Sequence, residues 1–134
     1  MRYMLDTSIC IYLIKRQPRE VIGKFQGIAP GEIAISSVTV AEMLYGVAKS
    51  QHKDKNKSAL EAFLAPLEIV DFDFKAAQHY GIVRTNLEKM GTPIGAYDLM
   101  IAAHVLSLGL VLVTNHEREF QRIPELIVEN WVNQ

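Results

Sequence analysis

Four acidic residues of this chain stand where carboxylates could act together on a ligand. Asp6 and Glu119 each follow an apolar run, Glu42 comes soon after a β-branched run, and Asp98 opens a helical pattern. Parallel α/β folds carry their ligand sites at the carboxyl ends of the strands. Carboxylates gathered there are typical ligands of a hard cation such as Mg²⁺, which most often serves phosphoryl chemistry. The spacing therefore predicts a divalent-metal site.

The same acids also have purely structural interpretations. Glu42 lies three residues after Thr39, which is the spacing of a helix capping box. Asp98 falls in a first helical turn, where the helix dipole stabilises a negative charge by about 0.3–1 kcal/mol. Asp6 has the character of a turn residue that accepts a hydrogen bond from backbone two residues on. Each acid taken alone is ambiguous, and only their common location favours a site.

The segment that follows the last apolar run carries a second capping pattern. Thr114 and Glu117 are three residues apart, so Glu117 is interpreted as part of a helix cap. On that interpretation Glu119 would be an exposed helical acid.

Other kinds of catalytic or cofactor site find no support in the sequence. The histidines form no pair at helical spacing and Cys10 is the only cysteine, so a zinc site is not predicted. The glycine patterns of dinucleotide-binding and P-loop folds are absent, as is the Gly-x-Ser-x-Gly turn of acyl-transfer enzymes. Oxygen ligation of Mg²⁺ or Mn²⁺ is the chemistry that remains.

Composition places the chain among ordinary folded proteins. Its 134 residues, 49% hydrophobic and 22% charged, suit one domain over residues 1–134. The single cysteine suits a reducing compartment, and neither a signal peptide nor a membrane-spanning run is apparent, so we expect a cytoplasmic protein. A net charge of -1 gives no bulk attraction to nucleic acid, so RNA binding would need a local basic patch.

Strand and helix patterns alternate along the whole chain. Apolar and β-branched runs predict strands at 2–6, 32–36, 67–72, 110–114 and 126–128. Helical spacing predicts helices at 8–15, 18–25, 40–50, 59–64, 75–89 and 97–108, with a polar, basic loop at 49–57. Strands joined by helical crossovers indicate a parallel sheet covered by helices on both faces.

Four segments together resemble the VapC family of PIN-domain ribonuclease toxins. These are Leu5-Asp6-Thr7-Ser8-Ile9, Ser37-Val38-Thr39-Val40-Ala41-Glu42, Gly95-Ala96-Tyr97-Asp98-Leu99 and Val113-Thr114-Asn115-His116-Glu117-Arg118-Glu119-Phe120, followed by Trp131 near the end. The resemblance implies a three-layer α/β/α domain with a mainly parallel central sheet. It also implies an Mg²⁺-dependent endoribonuclease, with Mn²⁺ able to substitute, that inhibits translation.

The resemblance assigns roles to individual residues. It implies Asp6, Glu42 and Asp98 as an acidic triad with Glu119 as a fourth acid, all four being catalytic. We expect Asp6 and Asp98 to bind the metal directly, and Glu42 and Glu119 to act through water and neighbouring groups. Polar residues beside the acids are expected to support them: Thr7, Ser8, Thr114 and Asn115. Ser8 stands where the family usually has asparagine, and Asn115 where many PIN domains have a second aspartate, which would weaken a second metal position.

Partners are also implied by the resemblance. They are a VapB-type antitoxin, an RNA substrate that is most plausibly a tRNA anticodon stem-loop, and a second toxin chain in a homodimer, with DNA bound only through the antitoxin. Cations that follow the first helix are interpreted either as phosphate contacts or as solvated charges on a helix surface: Lys15, Arg16, Arg19 and Lys24. Arg84 either faces the site or pairs with Glu88. A surplus of apolar side chains is expected to lie partly in the core, and the resemblance implies that the rest forms a groove for the antitoxin's C-terminal segment: Ile9, Ile11, Tyr12, Leu13, Ile14, Met43, Leu44, Tyr45 and Val47.

Two other classes of function stay open on the residues alone. One is a non-catalytic doubly wound binding module, in which the acids are only helix caps. The other is a phosphotransfer domain with Asp6 as nucleophile, although Ser8 stands where such a domain would have a further acid. Metal binding that depends on Asp6 and Asp98 together would separate the nuclease from both.

Overall fold

A five-stranded parallel sheet forms the centre of the computed structural model, which describes residues 1–132. The strand order across the sheet is β3-β2-β1-β4-β5. The strands are β1 (Tyr3–Leu5), β2 (Ile33–Ser36), β3 (Glu68–Val70), β4 (Val111–Val113) and β5 (Val128–Glu129).

Helices connect each strand to the next along the chain. They are α1 (Thr7–Lys15), α2 (Arg19–Gln26), α3 (Ser37–Ala48), α4 (Lys53–Leu64), α5 (Phe74–Lys89), α6 (Ala96–Leu108) and α7 (Glu117–Phe120). Within residues 1–132, no helix is both long and apolar enough to cross a bilayer.

The side chains of the central strand alternate between two cores. Met4 is fully buried in a cluster with residues of α5 and α6, whereas Tyr3 and Leu5 face a second cluster that includes α1 and α2. This alternation is the period of an extended strand with both faces covered. The expected three-layer α/β/α architecture is confirmed.

Strand order creates a crevice beside β1. The chain leaves β1 for β2 on one side and later returns to pair β4 on the other, with Tyr3 aligned to both Ile33 and Val111. At such a reversal of strand order the connections diverge, and the carboxyl ends of the two strands are left open to a ligand. Asp6 and Thr114 are the residues directly after β1 and β4.

The last described residues pack against the core on the side of β1 that carries Tyr3. Trp131 is fully buried, and its ring meets that of Tyr3 edge-on at a centroid distance of 5.8 Å. Its indole N–H donates to the carboxylate of Glu129 at 2.9 Å, so the one polar atom of the ring is satisfied.

Two helices begin earlier than the sequence predicts. Helix α3 starts at Ser37 because the hydroxyl of Ser36 accepts a hydrogen bond from the amide of Val38, whereas the prediction began at residue 40. Helix α4 starts at Lys53, so the predicted loop at 49–57 is wrong over its second half. That part has no apolar periodicity because residues 53–59 are all exposed, yet lysine is a good helix former.

Candidate metal centre

Asp6 is an acid held in place by three hydrogen bonds. It caps α1, where one carboxylate oxygen accepts from the amide of Ile9 at 3.0 Å and from the hydroxyl of Ser8 at 2.7 Å. The other oxygen accepts from the hydroxyl of Thr114 at the end of β4. The structural interpretation of Asp6 is correct in that it bonds local backbone, but the donor is the amide three residues on and not two. The carboxylate also spans the crevice between the strands.

Burial determines the electrostatics of Asp6. The side chain is only 1% exposed, and this desolvation raises the pKa of the carboxyl above its ordinary value. The hydrogen bonds from Thr114, Ile9 and Ser8 act in the opposite direction and limit the rise. A nearby cation would favour the charged form.

Glu42 lies in the second turn of α3 and is oriented by a neighbour of Asp6. The hydroxyl of Thr7 donates to its carboxylate at 2.7 Å, and Thr39 lies next to the same hydroxyl at 3.4 Å. The capping-box interpretation of Glu42 is wrong, because Ser36 and not Thr39 caps the helix. Thr7 directly follows Asp6, so its hydroxyl links Glu42 to the residue at the crevice.

Three side chains bring their donor atoms within 4.8 Å of one another: Asp98, His116 and Glu119. Asp98 lies in the first turn of α6, as predicted, while His116 precedes α7 and Glu119 lies within it. Asp6 and Glu42 do not belong to this group. Within residues 1–132, no other group of three acids, histidines or cysteines comes as close together. His116 was not predicted as a site residue, because it has no second histidine at helical spacing and its partners here are two acids.

The acids in this group repel one another. Burial, the adjacent Glu119 and the charge of Asp6 together raise the pKa of Asp98 from 3.8 to about 6. The nearby His116 opposes this rise. The charge of Asp6 thus acts on Asp98 although the two residues lie far apart in the sequence.

Thr114 connects the two halves of the crevice. Its hydroxyl donates to Asp6 and accepts from the amide of His116 at 2.9 Å. In the second predicted capping box, Thr114 does accept from a backbone amide, but Glu117 does not bond back to it. Glu117 instead accepts from the side-chain amide of Asn130 at 2.8 Å. Asn115 donates to the hydroxyl of Tyr12 at 3.0 Å, so its amide nitrogen has a structural partner.

The predicted basic residues are distributed around the molecule. Arg84 contacts Glu88 at 3.2 Å and the hydroxyl of Tyr80 at 2.9 Å, which favours its pairing role. Lys15 lines a groove together with Thr7 and Glu42. The remaining three cations lie on exposed positions at the end of α1 and along α2: Arg16, Arg19 and Lys24.

That groove runs along α1, α3 and α4 and has a volume of about 300 Å³. A second depression of about 370 Å³, between α1, α2 and α4, shares Ile14 and Ala59 with it. Of the apolar residues that the sequence offered for this surface, Ile9, Leu13 and Met43 belong to the core. Others stay accessible, as shown by Ile11, Leu44 and Tyr45 at 39%, 44% and 66% exposure.

The donor set fits a divalent cation. Carboxylates of Asp98 and Glu119 supply hard oxygen atoms, the charge of Asp6 lies close by, and no lysine or arginine is within the group of three. Several carboxylates held together are unfavourable without a compensating positive charge. The site therefore has the charge and the ligand types that a metal would satisfy.

Comparison with known proteins identifies relatives over the whole length. The PIN domain family matches residues 3–126. The chain is 48% identical over 132 residues to ribonuclease VapC2 of Rickettsia felis, with 98% of each chain covered. It is also 44% identical over 131 residues to the tRNA(fMet)-specific endonuclease VapC of Salmonella typhimurium, again with 98% of each covered.

A solved structure has the same architecture. The chain superimposes with a TM-score of 0.91 on a chain of the crystal structure of VapBC2 from Rickettsia felis bound to a promoter DNA fragment. The two are 47% identical, with 98% of this chain and 99% of that chain covered.

Proposed function

This chain belongs to the PIN-domain family, and we propose that it is a metal-dependent endoribonuclease, the toxin of a type II toxin–antitoxin pair. The observation that carries the proposal is the approach of Asp98, His116 and Glu119 to within 4.8 Å of one another beside the buried Asp6. The high identity to VapC ribonucleases over the full chain supports the same activity.

We propose Mg²⁺ or Mn²⁺ as the metal, with Asp6 and Asp98 among its direct ligands. Such an ion supplies a nucleophile at neutral pH by acidifying water, and it neutralises charge on the phosphate oxygens. Glu119 lies beside Asp98, and Glu42 is held by Thr7, so both can hold water or accept protons near the reacting phosphate.

The surrounding residues keep these acids oriented before substrate arrives. Ser8 and Thr114 fix the carboxylate of Asp6 through its two oxygens, and Thr7 fixes Glu42. Preorganised groups need no rearrangement when charge develops in the transition state. Asn115 holds the loop after β4 to α1 through Tyr12, which supports the position of His116 and Glu119.

A tRNA is the substrate that the relatives favour. The Salmonella typhimurium protein is named as specific for tRNA(fMet), and we propose the anticodon stem-loop of a tRNA for this chain. Unstacked loop bases are the usual target of sequence-specific RNA recognition. Lys15, on the groove beside Glu42, is suited to contact a phosphate of the bound strand.

Incubation with tRNA tests this function directly. Purified antitoxin-free protein is mixed with initiator tRNA or with elongator tRNAs, with Mg²⁺, with Mn²⁺ or with EDTA. We expect metal-dependent cleavage of initiator tRNA that leaves a 5′-phosphate and a 3′-hydroxyl, because water and not the ribose 2′-hydroxyl is the nucleophile. Equal cleavage in EDTA, or intact RNA in every metal, would overturn the proposal.

The two rival functions are weakened by different observations. A phosphotransfer domain of this kind would carry a further acid two residues after Asp6, but Ser8 stands there and donates a hydrogen bond to Asp6 instead. A binding module whose acids only cap helices does not account for Glu42, which caps no helix.

An antitoxin of the VapB type is the partner we propose for the continuous apolar groove. The two depressions meet at Ile14 and Ala59, and one end opens beside Thr7 and Glu42. An apolar segment of the antitoxin lying in this groove would bring its end to the acids, where an arginine or lysine could pair with them. DNA binding then belongs to the antitoxin in the complex.

A second toxin chain is the other partner we propose. Leu44 and Tyr45, on the outer face of α3, are large apolar side chains exposed at 44% and 66%. Pairing of two such faces in a homodimer would remove this apolar surface from water.

A further inference from the structure

His116 places a nitrogen donor within a site otherwise made of carboxylates. One of its ring nitrogens lies within 4.8 Å of a carboxylate oxygen of Asp98 and of Glu119, while these oxygens lie as close to each other. We propose that His116 is a metal ligand that makes this site prefer first-row transition ions, such as Mn²⁺, Co²⁺ and Ni²⁺, to Mg²⁺. The inference rests on the proposed metal-dependent function and specifies the metal class that serves it.

Hydrogen bonds connect the backbone of His116 to two acids of the site, Asp6 and Glu119. The hydroxyl of Thr114 accepts from the amide of His116 and donates to Asp6, so one side chain positions both residues. His116 and Glu119 are three residues apart across the start of α7, where a carbonyl of His116 accepts from the amide of Glu119 at 3.2 Å. The imidazole and the carboxylate are therefore held on one short turn and need no change of fold to bind one ion.

The preference follows from ligand chemistry. Mg²⁺ favours an octahedron of hard oxygen atoms, including several waters, and gains little from a neutral nitrogen. Imidazole binds first-row transition ions well, with affinity rising from Mn²⁺ through Co²⁺ to Ni²⁺. A site of two carboxylates and one imidazole should therefore bind Co²⁺ more tightly than Mg²⁺, and Ni²⁺ more tightly still.

His116 has one other role to be distinguished from ligation. Its charged form would lower the repulsion among the acids of the metal-free protein, since it lies close enough to favour the charged states of Asp6 and Asp98. A counter-charge of this kind would be displaced by any divalent cation and would confer no preference among metals.

Calorimetric titration of the full chain with CoCl₂ and with MgCl₂ separates these roles. His116→Asn keeps an oxygen donor at the position, His116→Ala removes the donor, and His52→Asn is the matched control because His52 is exposed and caps α4 without a side-chain hydrogen bond. We expect the Co²⁺ over Mg²⁺ affinity ratio to fall by at least about tenfold in both His116 variants and to stay unchanged in His52→Asn.

Proton NMR of the Co²⁺-loaded chain gives a readout independent of activity and affinity. A coordinated imidazole should show a hyperfine-shifted, solvent-exchangeable N–H resonance that is present in the parent and in His52→Asn but absent from His116→Asn. An unchanged metal ratio together with no such resonance would overturn the inference and leave His116 a counter-charge. A third outcome is that the parent shows the shifted N–H resonance, and the His116 variants the lowered Co²⁺ over Mg²⁺ affinity ratio, while no RNA is cleaved. In that case the proposed nuclease function fails and the ligand assignment stands.

Discussion

Asp98 is the residue in which the electrostatics of the whole site converge. It lies at the amino end of α6, beside Glu119 and within the field of Asp6, and these neighbours together with burial raise its pKa to about 6. A carboxyl with this pKa exchanges its proton close to physiological pH. Its charge is therefore available to a metal at neutral pH but is lost under mildly acidic conditions.

Replacing Asp98 by asparagine should nearly abolish RNA cleavage while the fold survives. Asparagine keeps the size of the side chain but removes a ligand charge, and losing about 3–4 kcal/mol of transition-state stabilisation slows the reaction roughly 10²–10³-fold. The measurement is single-turnover tRNA cleavage in saturating Mn²⁺. Cleavage at the parental rate by folded Asp98→Asn protein would contradict the assignment.

Glu117→Gln is the matched control for that variant. Glu117 lies in α7 with Glu119, but its carboxylate accepts from the side-chain amide of Asn130 and is not one of the three clustered donors. Glutamine can still accept this hydrogen bond, so we expect cleavage close to the parental rate and a small change in the midpoint of thermal unfolding.

The stability of the metal-free protein should fall as pH rises from about 4 to 6. The pKa of Asp98 is higher in the folded state (about 6) than its ordinary value of 3.8, so the folded protein binds more protons in that window. After allowance for solvent screening of a half-exposed group, the loss attributable to Asp98 is about 1 kcal/mol. Chemical denaturation in EDTA at pH 4 and at pH 7 measures it.

Asp98→Asn should remove this pH dependence. Without metal, the variant is expected to be more stable than the parent above pH 6 and to match it near pH 4, where the parental carboxyl is protonated. Mn²⁺ should reverse the order at pH 7, since only the parent binds the ion tightly. A difference between the two proteins that does not vary with pH would exclude Asp98 as the source.

The acids of the site were predictable from sequence, but their partners were not. Asp6 and Asp98 stand at strand and helix ends that any parallel α/β sheet brings to one edge. The role of His116 depends on the direction of one exposed ring after the short turn that follows β4. No periodicity specifies such a direction, and none predicts the hydrogen bond from the backbone amide of His116 to Thr114.

At the level of elements, the ends of β1 and β4 are joined by one hydroxyl. Backbone pairing brings the two strands together, with Asp6 N–H donating to the carbonyl of Val113 at 3.0 Å. The Thr114 hydroxyl then connects the acid that follows β1 to the turn that carries His116. His116 and the start of α7 are thus positioned relative to Asp6 by the sheet and by this side chain together.

Thr114→Val should weaken metal binding without unfolding the protein. Valine has a similar shape but cannot donate to Asp6 or accept from His116, and loss of such a supporting contact to a metal ligand typically costs roughly 10–100-fold in affinity. Leaving these buried groups unpaired should also lower the free energy of unfolding by about 1–3 kcal/mol. Mn²⁺ titration and urea denaturation measure the two effects.

Two further variants show whether the hydroxyl itself is responsible. Thr114→Ser retains it and should recover most of the metal affinity. Thr85→Val removes a hydroxyl that donates to the backbone of its own exposed helix at 2.8 Å, and it should leave metal binding unchanged. Equal metal affinity in Thr114→Val and the parent would show that Asp6 needs no support from β4.

The order and type of the elements were predictable because their apolar patterns are strong, whereas some helix ends were not. Strands β1 and β4 are buried runs that could be read directly. Helix α4 begins with seven exposed residues, so its first turns have the composition of a loop. They are stabilised by helix propensity and by continuation of the helix to the buried Leu60. Helix α3 begins at a serine cap that is itself part of a strand.

At the scale of the whole molecule, the acids of the proposed site and the apolar groove lie on connected surfaces. Thr7 and Glu42 line one end of the groove, and Ala59 lies where its two depressions meet. A partner that fills the groove can therefore reach the acids, but the groove can be blocked at a distance from them.

Ala59→Arg should separate neutralisation from catalysis. The long charged side chain would occupy the junction of the groove, so we expect binding of the antitoxin to weaken at least about tenfold, a loss of about 1.4 kcal/mol. Cleavage of tRNA should stay near the parental rate, because the acids are untouched. Calorimetric titration with the antitoxin, followed by cleavage in its presence, measures both.

Ala77→Arg is the control for added charge and bulk. Ala77 is likewise exposed on a helix, but it lies on α5, which does not line the groove. We expect normal antitoxin binding in this variant. Parental affinity in Ala59→Arg would place the antitoxin elsewhere on the toxin surface.

The position of β1 at the centre of the sheet has a genetic consequence. Its two neighbouring strands are encoded far apart, and the last of the four acids, Glu119, comes after both. Any frameshift or stop codon before that point removes an acid and, in most cases, also exposes an edge of β1. A gene that encodes this chain is therefore a large target for inactivation, and selection without its antitoxin should recover truncating alleles scattered along it, with missense alleles confined to the core and the acids.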